Sequence, residues 1–220
     1  MAKKGLLALA LAAIVAGGAF ARDRPELRFG GGALSDIDRG GVSRDVHNGD
    51  FVGREALGFG GWVFGGARFA EFSLGFFGGP AWSVVRHDGG DRGDWERAGS
   101  FLSMSVNLLG KFPFECRRGH AFFPMLGVGH NIALAARDLD GNDIFENTGK
   151  SAAGELSAFR IKAGVGGDFL LGERMFLRAQ VLGFYRFSSR AEREQVSDMD
   201  GSAYAFGFGA TTRIGVGFRL

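Results

Sequence analysis

A single cysteine, Cys116, stands in a chain of 220 residues. An internal disulfide is therefore excluded, and a fold sent to an oxidising compartment must hold by packing or by a closed hydrogen-bond network. Nothing near Cys116 marks it as catalytic, so it reads as an incidental thiol in a turn. Prolines number four, too few for a proline-rich linker. Beyond residues 1–21 no run of 18 apolar residues occurs, which excludes a spanning helix. No basic patch with interleaved aromatics is present, which argues against nucleic acid as a partner. No cofactor is expected.

What is present begins with a leader. Lys3 and Lys4 precede the apolar run LLALALAAIVAGGAFA, which ends in the small-x-small triplet Ala19-Phe20-Ala21. Residues 1–21 read as a secretory signal peptide, leaving residues 22–220 as one domain. Its removal takes away two lysines and no acid, so 24 basic face 24 acidic side chains and net charge points to no partner. Glycine (39) and phenylalanine (23) are abundant. Without a G-X-Y period the glycine is not collagen, and with so many aromatics the chain is not disordered.

Eight segments alternate with period two, the signature of strands with two unlike faces. In the last, Phe206, Phe208, Ala210, Thr212, Ile214, Val216, Phe218 and Leu220 form one series, against Gly207, Gly209, Thr211, Arg213, Gly215, Gly217 and Arg219. The other segments begin near Leu27, Leu57, Ala70, Leu102, Leu126, Phe159 and Leu177. The connections alternate long and short. The long ones are SDIDRGGVSRDVHNGD, HDGGDRGDWERAG, RDLDGNDIFENTGKSAAGE and SSRAEREQVSDMDG; GGAR and GER are tight, and GKFPFECRRGH is intermediate. An up-and-down barrel with both termini at one end produces this alternation.

The polar face is mostly glycine and alanine with isolated charges, unlike the Lys- and Glu-dense exterior of a soluble barrel. It suits a narrow lumen. The lumen cations are Arg28, Arg160, Lys162, Arg178, Arg186, Arg213 and Arg219, facing the carboxylates Glu71 and Asp168 on the same series. The surplus cations need loop or terminal carboxylates, backbone carbonyls or water. Phe, Leu, Val and Ile then face lipid, with Trp82, Phe122, Tyr185 and Phe187 near strand ends as an aromatic girdle. The fold class is an all-β, eight-stranded antiparallel transmembrane β-barrel; a soluble exported barrel or sandwich is the alternative.

With these residues in view, the chain resembles the small Gram-negative-type outer-membrane barrels of the OmpA/OmpX/OmpW kind, and the segments KFPF (111–114), FFPMLGVGH (122–130) and ERMFLRAQVLGFYRF (173–187) look similar to spirochaetal ones. The resemblance implies outer-membrane lipid as surroundings and insertion by the barrel assembly machinery. That machinery would read Ile214, Val216, Phe218 and Leu220, although Leu220 departs from the usual terminal aromatic. Fold alone fixes no activity.

Three constellations bear on function. A deacylase-like site needs His and Ser two apart on one strand face, with a carboxylate behind the His. Among His47, His87, His120 and His130, the last is followed by Asn131 and Ile132, and a non-enzymatic protein is expected. DLDGND (138–143) has the flavour of a calcium loop, but an EF-hand starting at Asp138 needs Gly and Glu where Asp143 and Gly149 stand, so it reads as a solvated turn with no metal. Arg92-Gly93-Asp94 matches the tripeptide that binds integrins. Two functions follow: a barrel that passes or binds small solutes through a charged lumen, or a closed-lumen surface barrel whose long loops bind host surface ligands.

Overall fold

The computed structural model describes residues 26–43, 51–86, 95–115, 120–146, 148–193 and 204–220. The expected signal peptide (residues 1–21), Cys116, His47, His87 and Arg92-Gly93-Asp94 lie outside these residues. Nine strands and a short helix follow in order: β1 (Arg28–Ser43), β2 (Phe51–Gly66), β3 (Ala70–Arg86), β4 (Glu96–Lys111), β5 (Phe114–Glu115), β6 (Ala121–Arg137), α1 (Ala152–Leu156), β7 (Ala158–Leu170), β8 (Met175–Arg186) and β9 (Tyr204–Arg219). Each long strand pairs antiparallel with its neighbours in sequence. β1 also pairs with β9, and β4 pairs with β6, so eight strands close into a ring with β5 as a two-residue extension beside β6. Closure leaves no unpaired edge, the condition for a sheet to exist in lipid.

The expected alternation holds along the whole ring. Phe29, Phe59, Val63, Phe72, Phe76, Leu126, Val181, Ile214 and Phe218 are exposed, whereas Arg28, Glu71, Arg160, Lys162, Arg178 and Arg213 are interior. A soluble barrel would invert this order, so the soluble alternative gives way to a transmembrane barrel. Aromatics gather at both ends of the outer face. Phe29 stacks on Phe218 at 5.8 Å at the end that carries the termini. At the other end Phe159, Tyr185 and Phe187 meet at 5.5–5.9 Å, and Phe206 stacks on Phe208. These are the girdles of the two interfaces.

The strands are longer than the alternating apolar cores indicate, and two expected loops shrink. SDIDRGGVS is strand, not loop: β1 runs to Ser43 and β2 starts at Phe51. The period-two pattern continues there, but with Asp36 and Asp38 on the inner series, and an acidic stretch reads as a solvated loop when only apolar alternation is followed. Strands of 12–17 residues exceed the ~9–11 needed to span. The excess carries the loop end of the barrel beyond the hydrocarbon layer.

Inside, glycine provides the room that large side chains occupy. A Cβ on Gly217 would come within 2.3 Å of the Phe176 ring, one on Gly166 within 2.4 Å of Phe123, one on Gly209 within 2.5 Å of Phe184, and one on Gly207 within 2.7 Å of the Arg186 guanidinium. Gly99, at φ +146° beside the bulge where Ala81 and Trp82 pair with Gly99 and Arg97, holds a backbone conformation that a side chain disfavours.

Replacing outward Val181, mid-β8 and 53% exposed, with Arg is expected to cost about 2–4 kcal/mol of folding stability in lipid. The measurement is denaturant unfolding in vesicles, with heat-modifiable gel migration as the marker of the closed barrel. An unchanged midpoint would remove Val181 from the lipid face.

Candidate functional site: the charged lumen and its vestibule

Three layers of side chains fill the lumen. The layer nearest the termini is an ion-pair network. Arg178 donates from Nε and Nη2 to both oxygens of Asp168 at 2.6 Å, and from Nη1 to Glu71. Arg28 adds a bond to Asp168 at 2.8 Å, Lys111 approaches Glu71 at 3.5 Å, and Gln180 donates to Glu71 at 3.1 Å. Arg178 is fully buried between the rings of Phe64 and Phe176, 4.2 and 4.9 Å from its guanidinium carbon. Each carboxylate accepts from more than one cation or amide, the arrangement that lets a buried charge group persist. Leu109, Phe123, Met125 and Leu182 form a buried apolar cluster, with Phe123 5.5 Å from the Arg178 guanidinium carbon.

The layer at the loop end is a second network, mostly unseen in the sequence. Arg160 Nη1 donates to both oxygens of Asp36 at 3.0 Å and Nη2 to Asp38 at 2.7 Å. Thr211 donates to Asp36 at 2.7 Å. Arg186 binds Asp38 through Nε at 3.1 Å and grips Glu192 with both terminal nitrogens at 2.7 and 2.8 Å. Glu192 comes from the connection after β8. Its Oε2 accepts from the Ser189 amide at 2.7 Å while Ser189 Oγ accepts from the Glu192 amide, a capping box that starts a helical turn over residues 190–193. The motif Ser-x-x-Glu is legible in SSRAE; its insertion into the barrel mouth is not.

Above this layer opens a vestibule of about 150 Å³. Asp36, Asp38, Arg54, Arg137, Arg160, Arg186 and Glu192 are its charged lining residues, and Phe77, Phe101, Ile144 and Leu156 supply its apolar wall. The loop over residues 138–157 forms part of the roof: Phe145, Ala152 and Leu156 pack on Ala133 and Ala136 of β6. Glu155 of α1 reaches Arg190 at 3.7 Å, tying this loop to the one that carries Glu192. Asp138 Oδ1 accepts the amides of Asn142 and Asp140 at 2.9 and 3.0 Å, so DLDGND is an Asx turn. Those amides, that of Asn142 foremost, hold the exposed Asp138 carboxyl below its ordinary value.

Of the nine expected lumen charges, Arg28, Glu71, Asp168 and Arg178 meet in the first network, and Arg160 and Arg186 in the second. Arg219, expected in the lumen or at its terminal mouth, lies at the rim, where its Nε donates to the Glu173 carbonyl at 2.6 Å. Lys162 and Arg213 are interior but join no carboxylate. Sequence reading missed Asp36, Asp38, Lys111 and Glu192, which come from stretches assigned to connections, and Arg54, which lies between the first connection and the segment beginning near Leu57. His130 faces outward from mid-β6, not near a strand end, and His120 Nδ1 accepts the Leu170 amide at 3.1 Å. Ile214, Val216, Phe218 and Leu220 all lie on the outer face of the closing strand, with Leu220 76% exposed.

Breaking the first network by Glu71→Gln is expected to cost about 3–5 kcal/mol, because it leaves buried Lys111 without its carboxylate and takes from Arg178 one of its two carboxylate partners. Glu55→Gln, at an exposed pair with Arg39 3.9 Å away, should cost at most about 1 kcal/mol. Denaturant midpoints compare the two. Burial pushes the Glu192 carboxyl up, but Arg186 and Ser189 outweigh it and leave it below the ordinary glutamate value. Stability from Glu192 is therefore complete above that ordinary value and is lost as pH falls through the lower folded one. Thermal scans should show a steep loss below the usual glutamate range, and Glu192→Gln should flatten that limb.

Among solved structures the chain is similar to neisserial surface protein A, at 12% identity and a TM-score of 0.47 over 88% of this chain and 97% of that one. The outer membrane protein OprG from Pseudomonas aeruginosa matches at 12% identity and 0.48, over 89% and 96%. The outer membrane protease OmpT from Escherichia coli matches at 8% and 0.44, over 90% and 97%. No protein-family model and no curated protein matches the chain. The closed ring and its lipid-facing exterior stand on this chain's own residues.

Proposed function

We propose that the protein is a non-enzymatic outer-membrane barrel that binds a small amphipathic anion in its vestibule and does not conduct. In this reading the leader exports the chain, and the assembly machinery folds it through Ile214, Val216, Phe218 and Leu220. The termini then lie in the periplasm and the vestibule opens to the cell exterior. The observation that carries it is the state of the vestibule charges. Asp36, Asp38 and Glu192 are each held by Arg160 or Arg186, while Arg54 is exposed into the cavity with no ion pair among the described residues. A free guanidinium beside Phe77, Phe101, Ile144 and Leu156 suits a carboxylate with a short apolar body.

Binding rather than conduction follows from the layer below. A solute crossing the barrel would have to displace Arg178, Phe123, Phe176 and Leu109, all nearly or fully buried, and break a network in which each carboxylate has several donors. Neither described histidine, His120 nor His130, is among the residues lining the cavity, so among the described residues no His–Ser pair serves it.

Planar-bilayer recordings of the refolded protein should show no conductance steps; regular steps would overturn the closed-lumen reading. In lipid nanodiscs octanoate should bind, octylamine should not, and 1-octanol should bind more weakly. Arg54→Gln should weaken octanoate by about 10-fold or more, the value of one charge-assisted hydrogen bond. Equal binding of octanoate by the variant would refute the anion site.

A further inference from the structure

The charges of the lumen do not cancel at every level. Glu71 and Asp168 are engaged by Arg178, Arg28 and Lys111, and Asp36, Asp38 and Glu192 by Arg160 and Arg186. Between these networks lies a polar belt that holds two cations and no carboxylate among the described residues. Lys162 is 1% exposed and its amine has no hydrogen-bond partner. Arg213 is equally buried. Its Nη1 donates to Ser73 Oγ at 3.1 Å, while Nε and Nη2 have no partner.

The belt is continuous. Asn107 Nδ2 lies 3.5 Å from the Ser73 hydroxyl that receives Arg213, and Asn107 Oδ1 is itself unpartnered. Asn107 and Lys162 meet over Gly129: a Cβ there would come within 2.5 Å of Asn107 Oδ1 and 3.3 Å of Lys162 Cε. Aromatic faces bound the belt, with Trp62 5.1 Å from the Arg213 guanidinium carbon and Phe184 5.8 Å from the Lys162 amine. These faces soften the cost of burying the cations but donate no counter-charge. Two buried like charges repel and are each short of hydration, a cost that a shared anion removes.

We infer that the belt is a binding site for a small inorganic monoanion of the halide class, held between Lys162 Nζ and the free Nε and Nη2 of Arg213. A compact anion with no proton to donate matches a set of donors enclosed by rings and backbone. Access runs from the vestibule, whose lining includes Arg160 and Asn131; Arg160 is the next inward residue to Lys162 on β7. The site does not depend on what the vestibule binds. It gives the surplus positive charge of the lumen a structural role, locking β7 to β9 across the interior.

The test uses the full barrel refolded in nanodiscs, with unfolding midpoints read in sodium chloride, sodium bromide and sodium gluconate at matched ionic strength. Chloride and bromide should raise the midpoint saturably, by a few degrees over gluconate. Lys162→Met and Arg213→Gln should each abolish the halide-specific part. Identical midpoints in chloride and gluconate, or a saturable rise that survives both substitutions, would overturn the inference. Crystals of the unsubstituted protein in bromide give a readout that does not depend on variants folding. An anomalous peak between Lys162 and Arg213 supports the site, and bromide confined to the outer surface or the vestibule refutes it.

Discussion

A ring of eight strands encloses a space just wide enough for its own side chains, and that width governs the rest of the molecule. Lipid forbids an open edge, so the ring must close. Closure at eight strands then forces every inward position to be either a large side chain or the space for one. Gly217 beneath Phe176, Gly166 beneath Phe123 and Gly207 beneath Arg186 are halves of such pairs. The abundance of glycine is thus a packing requirement of a narrow lumen, and a branched residue at any of these three positions would push the wall outward.

The same width dictates how charge is arranged. A guanidinium in the lumen cannot turn away to bulk water, so where it meets a carboxylate it does so within the ring. Arg178 does so with Glu71 and Asp168 from β3 and β7, and Arg160 with Asp36 and Asp38 from β1. Arg178–Asp168 joins the neighbouring strands β7 and β8, but the bridges to Glu71, Asp36 and Asp38 connect strands far apart around the circumference, so each network braces the ring across its interior. Their stabilising effect lies less in pair energy, which desolvation largely offsets, than in fixing which side chains share a level.

The fold and the facing of the strands were legible because apolar alternation survives along the lipid-spanning part of each long strand, and the outer face was readable down to Phe218 and Ile214. The lumen was half legible. Arg28, Glu71, Asp168 and Arg178 sit within alternating apolar runs and could be assigned to one face. Asp36, Asp38 and Arg54 sit where the barrel rises above the lipid, and there the outer series loses its apolar character: Arg39 and Glu55 face outward. With both series polar, a strand resembles a loop in sequence. Glu192 was hidden for another reason, since its position depends on a connection folding back into the mouth, and no local period records that.

That loss of apolar contrast also explains where the vestibule lies. Below the interface the outer face must be apolar and the lumen must be filled, because an unfilled dry cavity forfeits contacts and a wet one needs polar walls. Above the interface both faces meet water, and the ring is free of that demand. The wall there carries small residues, Ala56, Ala81, Ala98, Ala133, Ala135 and Ala136, in place of the aromatic fillers below. Loop 138–157 and the Glu192 turn close over the space they leave, joined by Glu155 and Arg190. The cavity is therefore the consequence of strands that outrun the membrane, and Arg54 is one of the charges that this excess length places in it.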